Sequence, residues 1–131
     1  MKTILTPEQS VMLIAKGISA DKASGQGERI YKPIALQSGA IKRVFEGYEP
    51  IFTLADICSL LPKGVIHNGL SCKLRITSWD DEPYFAGYEN QIGKYIMGNP
   101  YDVPFSAEEL IDALYELLLW VIDNGHINLP K

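Results

Sequence analysis

The chain has 131 residues, 47% of them hydrophobic and 21% charged, with 16 acidic against 12 basic side chains and a formal net charge of −4. That length suits one domain with a real core, and the composition excludes a disordered chain. The acidic balance argues against nucleic acid as a partner, because phosphate-tracking proteins draw most of their affinity from a basic face.

The opening MKTILTPEQS offers one lysine and a short apolar stretch that Thr6-Pro7-Glu8 interrupts, so no signal peptide is expected. Asp112, Glu116 and Asp123 punctuate the longest apolar run, and no membrane-spanning segment follows from it. A cytoplasmic protein is the expectation, with Cys58 and Cys72 as reduced thiols in preference to a disulfide.

Thr6-Pro7-Glu8-Gln9 predicts a helix start: Thr6 caps, Pro7 suits the first helical position and Gln9 completes a capping box. That helix stops at Gly17, and Ser19 opens a second, short segment ending at Gly25. From Glu28 to Tyr48 the signals are mixed. Arg29-Ile-Tyr-Lys-Pro and Ala40-Ile-Lys-Arg-Val-Phe read either as short strands or as irregular chain, and the one linker candidate runs from Gly25 to Gly47. Thr53 with Asp56 caps a two-turn helix carrying Leu54, Ile57, Leu60 and Leu61, closed by Pro62 and Gly64.

The apolar period then changes from helical to alternating. Residues 72–77 and 84–88, joined by the polar turn around Asp80, Asp81 and Pro83, predict an antiparallel hairpin with one buried face. A third strand is expected at Lys94–Met97, and Pro100–Pro104 reads as loop. Ser106-Ala-Glu-Glu109 predicts a capping box opening a last helix that ends at Gly125.

The last helix sets the architecture. At about 100° per residue, Leu110, Ile111, Ala113, Leu114, Leu117, Leu118, Val121 and Ile122 share one broad apolar arc, edged by Tyr115 and Trp120. Glu108, Glu109, Asp112, Glu116 and Asp123 form a narrow acidic strip, with Leu119 breaking it. One sheet face cannot cover so wide an arc. Either the helices near Pro7 and Leu54 cover the rest within one chain, or a second copy does so between chains.

Chemistry is thinly represented. Cys58, His67 and Cys72 have a spacing that fits no structural zinc site, and Cys58 is expected on the apolar side of its helix as a small hydrophobe. A Cys58–His67–Asp56 nucleophile lacks a surrounding signature, and Asp56 and Cys58 point in different directions. Gly25-Gln-Gly27 has neither the spacing nor the context of a phosphate cradle. No catalytic residue, metal ligand or cofactor is therefore assigned. The helix–Gly–helix look of residues 6–24 invites a helix-turn-helix reading with Lys16 and Lys22 as its cations, against a plain helical hairpin. Around the predicted strand hairpin cluster Trp79, Tyr84, Phe85, Tyr88, Tyr95 and Tyr101. Outward-facing Tyr and Trp favour recognition, while cross-strand packing is the plainer account.

Three segments, LTPEQSVMLIAKGISADKAS, FTLADICSLLPK and ELIDALYELLLWVIDNGHI, resemble small hypothetical proteins of prophages and other mobile elements in gut bacteria. The resemblance spans about half of the chain and is most specific in the last segment. It implies a self-contained intracellular domain of mobile-element origin. That group has no assigned activity, so no functional residue carries over, and residues 26–48 stand outside it as an insertion.

The expected architecture is a single α+β domain over residues 1–131, with a small antiparallel sheet packed against a long C-terminal helix and flanked by short N-terminal helices. The expected function is a non-enzymatic accessory protein of a phage or mobile element, acting through protein–protein contacts that include homodimerisation. Its contact surface would be Trp79, Tyr84 and Tyr88 beside Asp80 and Asp81. The alternative is a DNA-binding regulator using the N-terminal helical pair.

Overall fold

Helix α1, Pro7–Ala15, begins where the sequence places it. Thr6 Oγ1 accepts from the Gln9 amide at 3.2 Å, and the Gln9 side chain accepts from the Thr6 amide at 3.0 Å. These bonds satisfy amides that a helix start leaves without partners. The computed structural model describes residues 2–67, 69–78, 83–90 and 104–127. After α1 comes a single 3-10 turn, Ala20–Lys22, capped by Ser19.

Residues 26–48 are neither linker nor irregular chain. Strands β1 (Gly25–Ala35) and β2 (Ile41–Ile51) pair antiparallel in a sheet of their own, with Tyr31 opposite Phe45 and Ile34 opposite Lys42. Gly39, at φ +85°, closes the turn, which is tied by the Leu36 amide to the Ala40 carbonyl at 2.8 Å. Only glycine takes that backbone conformation without a steric cost. Register shifts on both sides of Arg29–Ile30 bulge the ribbon and increase its twist.

Helix α2, Leu54–Leu60, has the predicted box between Thr53 and Asp56. A four-stranded antiparallel sheet follows: β3 (Gly64–His67), β4 (Leu70–Ser78), β5 (Tyr84–Glu89) and β6 (Phe105–Ala107), in spatial order β3-β4-β5-β6. The β4–β5 pairing confirms the expected hairpin. The short edge strands β3 and β6 were not legible, because four and three residues are too few to show a period. The expected strand at Lys94–Met97 lies outside the described residues.

Helix α3, Leu110–Asp123, starts later than the capping-box reading had it. Ser106 and Ala107 are instead paired with Phe85 and Tyr84 in the β5–β6 ladder. Glu109 takes the cap position without a side-chain cap bond. Strand pairing wins here because it satisfies backbone groups on two strands at once. At the other end Gly125 adopts φ +70° and stops the helix.

Seven of the fourteen residues of α3 are buried: Ile111, Ala113, Leu114, Tyr115, Leu117, Leu118 and Val121. They meet β5, β6 and α2, and their core partners include Leu13, Phe52, Ile57, Val65 and Tyr88. Helix α1 lies along the acidic strip, where Gln9 reaches Asp112 at 3.2 Å and Lys16 reaches Asp123 at 2.8 Å. The α3 arc is thus covered within one chain, in a small α+β fold. Among the described residues, no helix is long and apolar enough to cross a membrane.

The core and the ribbon should respond differently to truncation. Leu117→Ala opens a cavity in fully buried surroundings and should cost about 2–5 kcal/mol in urea denaturation. Ile41→Ser, at a position 70% exposed, should move stability by no more than about 0.5 kcal/mol. Comparable losses for the two would contradict this division.

Candidate functional site

Of the predicted aromatic surface, Tyr84 and Tyr88 lie among the described residues. Trp79, Asp80 and Asp81 lie outside the described residues. Tyr88 is wholly buried, its hydroxyl donating to the Pro62 carbonyl at 2.7 Å, and burial pushes its phenol well above the ordinary range. It is a core residue, so the outward orientation expected for it is corrected. Tyr84 is half-buried, opposite Ala107 and against the core. Burial along β5 does not alternate: Ala86, Gly87 and Tyr88 are all buried.

The cysteine–histidine constellation also separates. Cys58 is exposed, not on the apolar side of α2, whereas Cys72 is 1% exposed and its thiol points to the Leu70 carbonyl at 3.5 Å. Burial raises the Cys72 pKa. Asp56 is occupied elsewhere, as described below. No group of three or more metal-ligating side chains occurs among the described residues.

What the fold assembles around His67 is an aromatic stack. His67 Nδ1 and His126 Nε2 are 2.9 Å apart, Trp120 lies 5.0 Å from the His67 ring and 5.2 Å from the His126 ring, and Tyr88 stacks on Trp120 at 6.0 Å. One imidazole N–H donates to the bare nitrogen of the other, an arrangement that two protonated rings cannot make. The stack ties the end of α3 to the edge strand β3. Sequence spacing gave no hint of it, because 59 residues separate the two histidines.

The N-terminal helical pair does not form a DNA-reading unit. Its second element is the three-residue 3-10 turn, too short to lie along a major groove. Lys16 is engaged with Asp123.

The exposed feature of the molecule is the β1–β2 ribbon. Cross-strand partners share a face, which places Tyr31, Phe45, Arg43 and Ile41 together, with Tyr48 joined to them by a 5.3 Å ring contact to Phe45. The Arg43 guanidinium lies 5.6 Å over the Tyr31 ring, within cation–π range. The opposite face carries Ile30, Ile34 and Val44 with Lys32 and Lys42. Eight large apolar side chains of the ribbon and its turn are exposed, from Val44 at 36% to Ile41 at 70%. Residues 29–45 also hold four of the chain's 12 basic residues and none of its 16 acidic ones.

The root of this arm is firmly held. Asp56 Oδ2 accepts from the Ser24 amide at 2.8 Å, the Ser24 hydroxyl at 2.9 Å and the Thr53 amide at 2.9 Å, so one carboxylate clasps the segments entering and leaving the ribbon. Burial pushes the Asp56 pKa up, but the bonds from Ser24 and Thr53 outweigh it and hold the group below its ordinary value. The Leu5 amide bonds to the Phe52 carbonyl at 2.9 Å, and Ser10 Oγ accepts from the Phe52 amide at 3.2 Å.

No family model, curated protein or solved structure matches this chain.

Stability should fall on mild acidification. Burial and then the charge of His67 lower the His126 pKa from its ordinary 6.5, so near that pH the unfolded chain binds the proton more readily. This contribution is complete above the unfolded value and is lost as pH falls through the folded one. The urea midpoint should therefore drop between about pH 7 and about pH 5, and His126→Phe should flatten that slope. An unchanged slope in the variant would remove His126 as its source. The Asp56 contribution has the same sign and is lost at lower pH, below its ordinary 3.8.

Proposed function

We propose that the chain is a non-enzymatic accessory protein of a phage or mobile element, working through protein–protein contacts, with the β1–β2 ribbon as its contact surface. One observation carries this reading: the ribbon exposes eight large apolar side chains on two faces while contributing almost nothing to the core. A two-stranded ribbon is marginal on its own in water. Contiguous exposed apolar surface marks interaction sites on monomers, and aromatic and arginine side chains such as Tyr31, Phe45, Tyr48 and Arg43 are enriched at interface centres. The contact surface moves from Trp79, Tyr84 and Tyr88 to this arm, and its sign changes from acidic to basic.

A second reading rests on the same segment. Four cations without a carboxylate over residues 29–45 suit a polyanion, and a two-stranded ribbon fits the major groove of duplex DNA. Seven exposed large apolar side chains against four cations over those residues put a protein partner first.

A photo-crosslinking residue in place of Phe45 distinguishes the two readings. In the cells that produce the protein it should yield adducts with protein, whereas the same residue at Ser71, on the outer face of the four-stranded sheet, should not. Adducts only with nucleic acid, or none at all, would remove the protein-contact reading.

A further inference from the structure

We infer that the ribbon's partner is a second copy of this chain, and that each ribbon lies across the α1–α3 face of the other copy in a reciprocal, two-fold dimer. This rests on the reading of the ribbon as a contact surface and goes on to name what it touches.

Charge complementarity singles out the receiving face. The outer ribbon, residues 29–45, has Arg29, Lys32, Lys42 and Arg43 and no carboxylate, while Glu28, Glu46 and Glu49 lie on the same strands nearer the root. Among the described residues, an acidic strip runs along α3 beside α1, with Glu109, Asp112, Glu116 and Asp123, and Glu8 on α1 is also acidic. Two ammonium groups, Lys2 and Lys16, are already spent there on Asp112 and Asp123. Glu8 and Glu116 are exposed and form no ion pair among the described residues.

The same face also has an exposed apolar residue. Met12, 44% exposed, lies between Gln9 and Lys16, the two α1 residues that bridge to α3, and Glu116 lies between their partners Asp112 and Asp123. Met12 and the α3 carboxylates therefore border one another, as the apolar residues and the cations do on the ribbon. The lengths match as well: residues 29–35 of the ribbon span about 23 Å at the strand rise, and α3 about 21 Å at the helical rise.

Contact through the ribbon's faces, not its edges, follows from its edges. Pro33 and Pro50 remove backbone donors, and the register shifts break the regular ladder, the devices that discourage an added strand. Reciprocal exchange buries two ribbons instead of one, and an isologous contact of this kind closes at the dimer.

Sedimentation of the full chain tests the proposal, with a charge swap as its specific arm. Wild type should run at twice its 14.6 kDa mass at about 100 µM and dissociate more readily in about 500 mM salt than in about 50 mM. Lys42→Glu with Arg43→Glu, and separately Glu8→Lys with Glu116→Lys, should each weaken the dimer about tenfold or more, and mixing the two variants should restore dimer mass. Ile41→Ser with Phe45→Ser should also give monomer, and an unchanged far-ultraviolet circular dichroism spectrum in each variant excludes unfolding as the cause. A wild type that stays monomeric at about 100 µM, or a charge swap that restores nothing, overturns the second copy. Phe45 crosslinks to a different protein in that case would leave the ribbon's contact role standing. Retardation of duplex DNA by monomeric wild type, lost in the Lys42/Arg43 variant, would overturn both in favour of nucleic acid.

Discussion

The structure is organised by the need to cover α3. A helix with Leu114, Leu117, Leu118 and Val121 wholly out of water cannot sit at the rim of a domain, since each such side chain is worth about 1.5–3 kcal/mol when buried. One sheet face covers part of its circumference. The remainder falls to α2 and α1, so both helices must return to the same rod from early in the chain. Lys2, Gln9 and Lys16 then engage the acidic strip, and the only polar side of α3 is matched to the only polar edge of α1. Such exposed ion pairs add little energy individually, but they fix the direction in which α1 lies.

The ribbon obeys a different logic. Its root belongs to the body: Ile51 and Phe52 are buried, and Asp56 fastens Ser24 to Thr53. Beyond the root no residue of β1 or β2 enters the core cluster. The body therefore holds the arm without depending on it. This separation lets the arm carry side chains that would destabilise a core strand, with prolines in both strands and cations beside isoleucines. Specificity and stability occupy different residues.

The sequence was most readable where local chemistry decides the outcome. The Thr6–Gln9 and Thr53–Asp56 boxes need only four residues each, and the β4 alternation and the apolar arc of α3 are local periodicities. Legibility ended where distant residues compete. Ser106 looks like a cap until Phe85 offers it a strand partner. Tyr88 looks like an outward aromatic until β3 and α3 determine which face of the sheet is inside. The His67–His126 contact depends on the whole fold and has no local signature. Residues 26–48 misled for another reason. Strands that bury neither face lack the alternation by which strands are recognised, and Pro33, Gly39 and Gly47 read as breaks when they are a tolerated edge proline, a turn and a bulge. The contact surface was sought among aromatics near the turn at Asp80, while the larger apolar and aromatic set lay in the segment taken for an insertion.

Net charge was the least informative quantity, and the reason is geometric. A total of −4 describes the field only at distances where the molecule acts as a point. At physiological ionic strength that field is screened within about 8 Å, while the ribbon extends roughly three times as far. A partner approaching the outer arm meets Arg29, Lys32, Lys42 and Arg43, with Glu28, Glu46 and Glu49 nearer the root. A partner approaching α3 meets carboxylates and little of the arm. The chain therefore presents two surfaces of opposite sign from one mildly acidic sequence. Charge counted by segment, not over the whole chain, decides which partners it attracts.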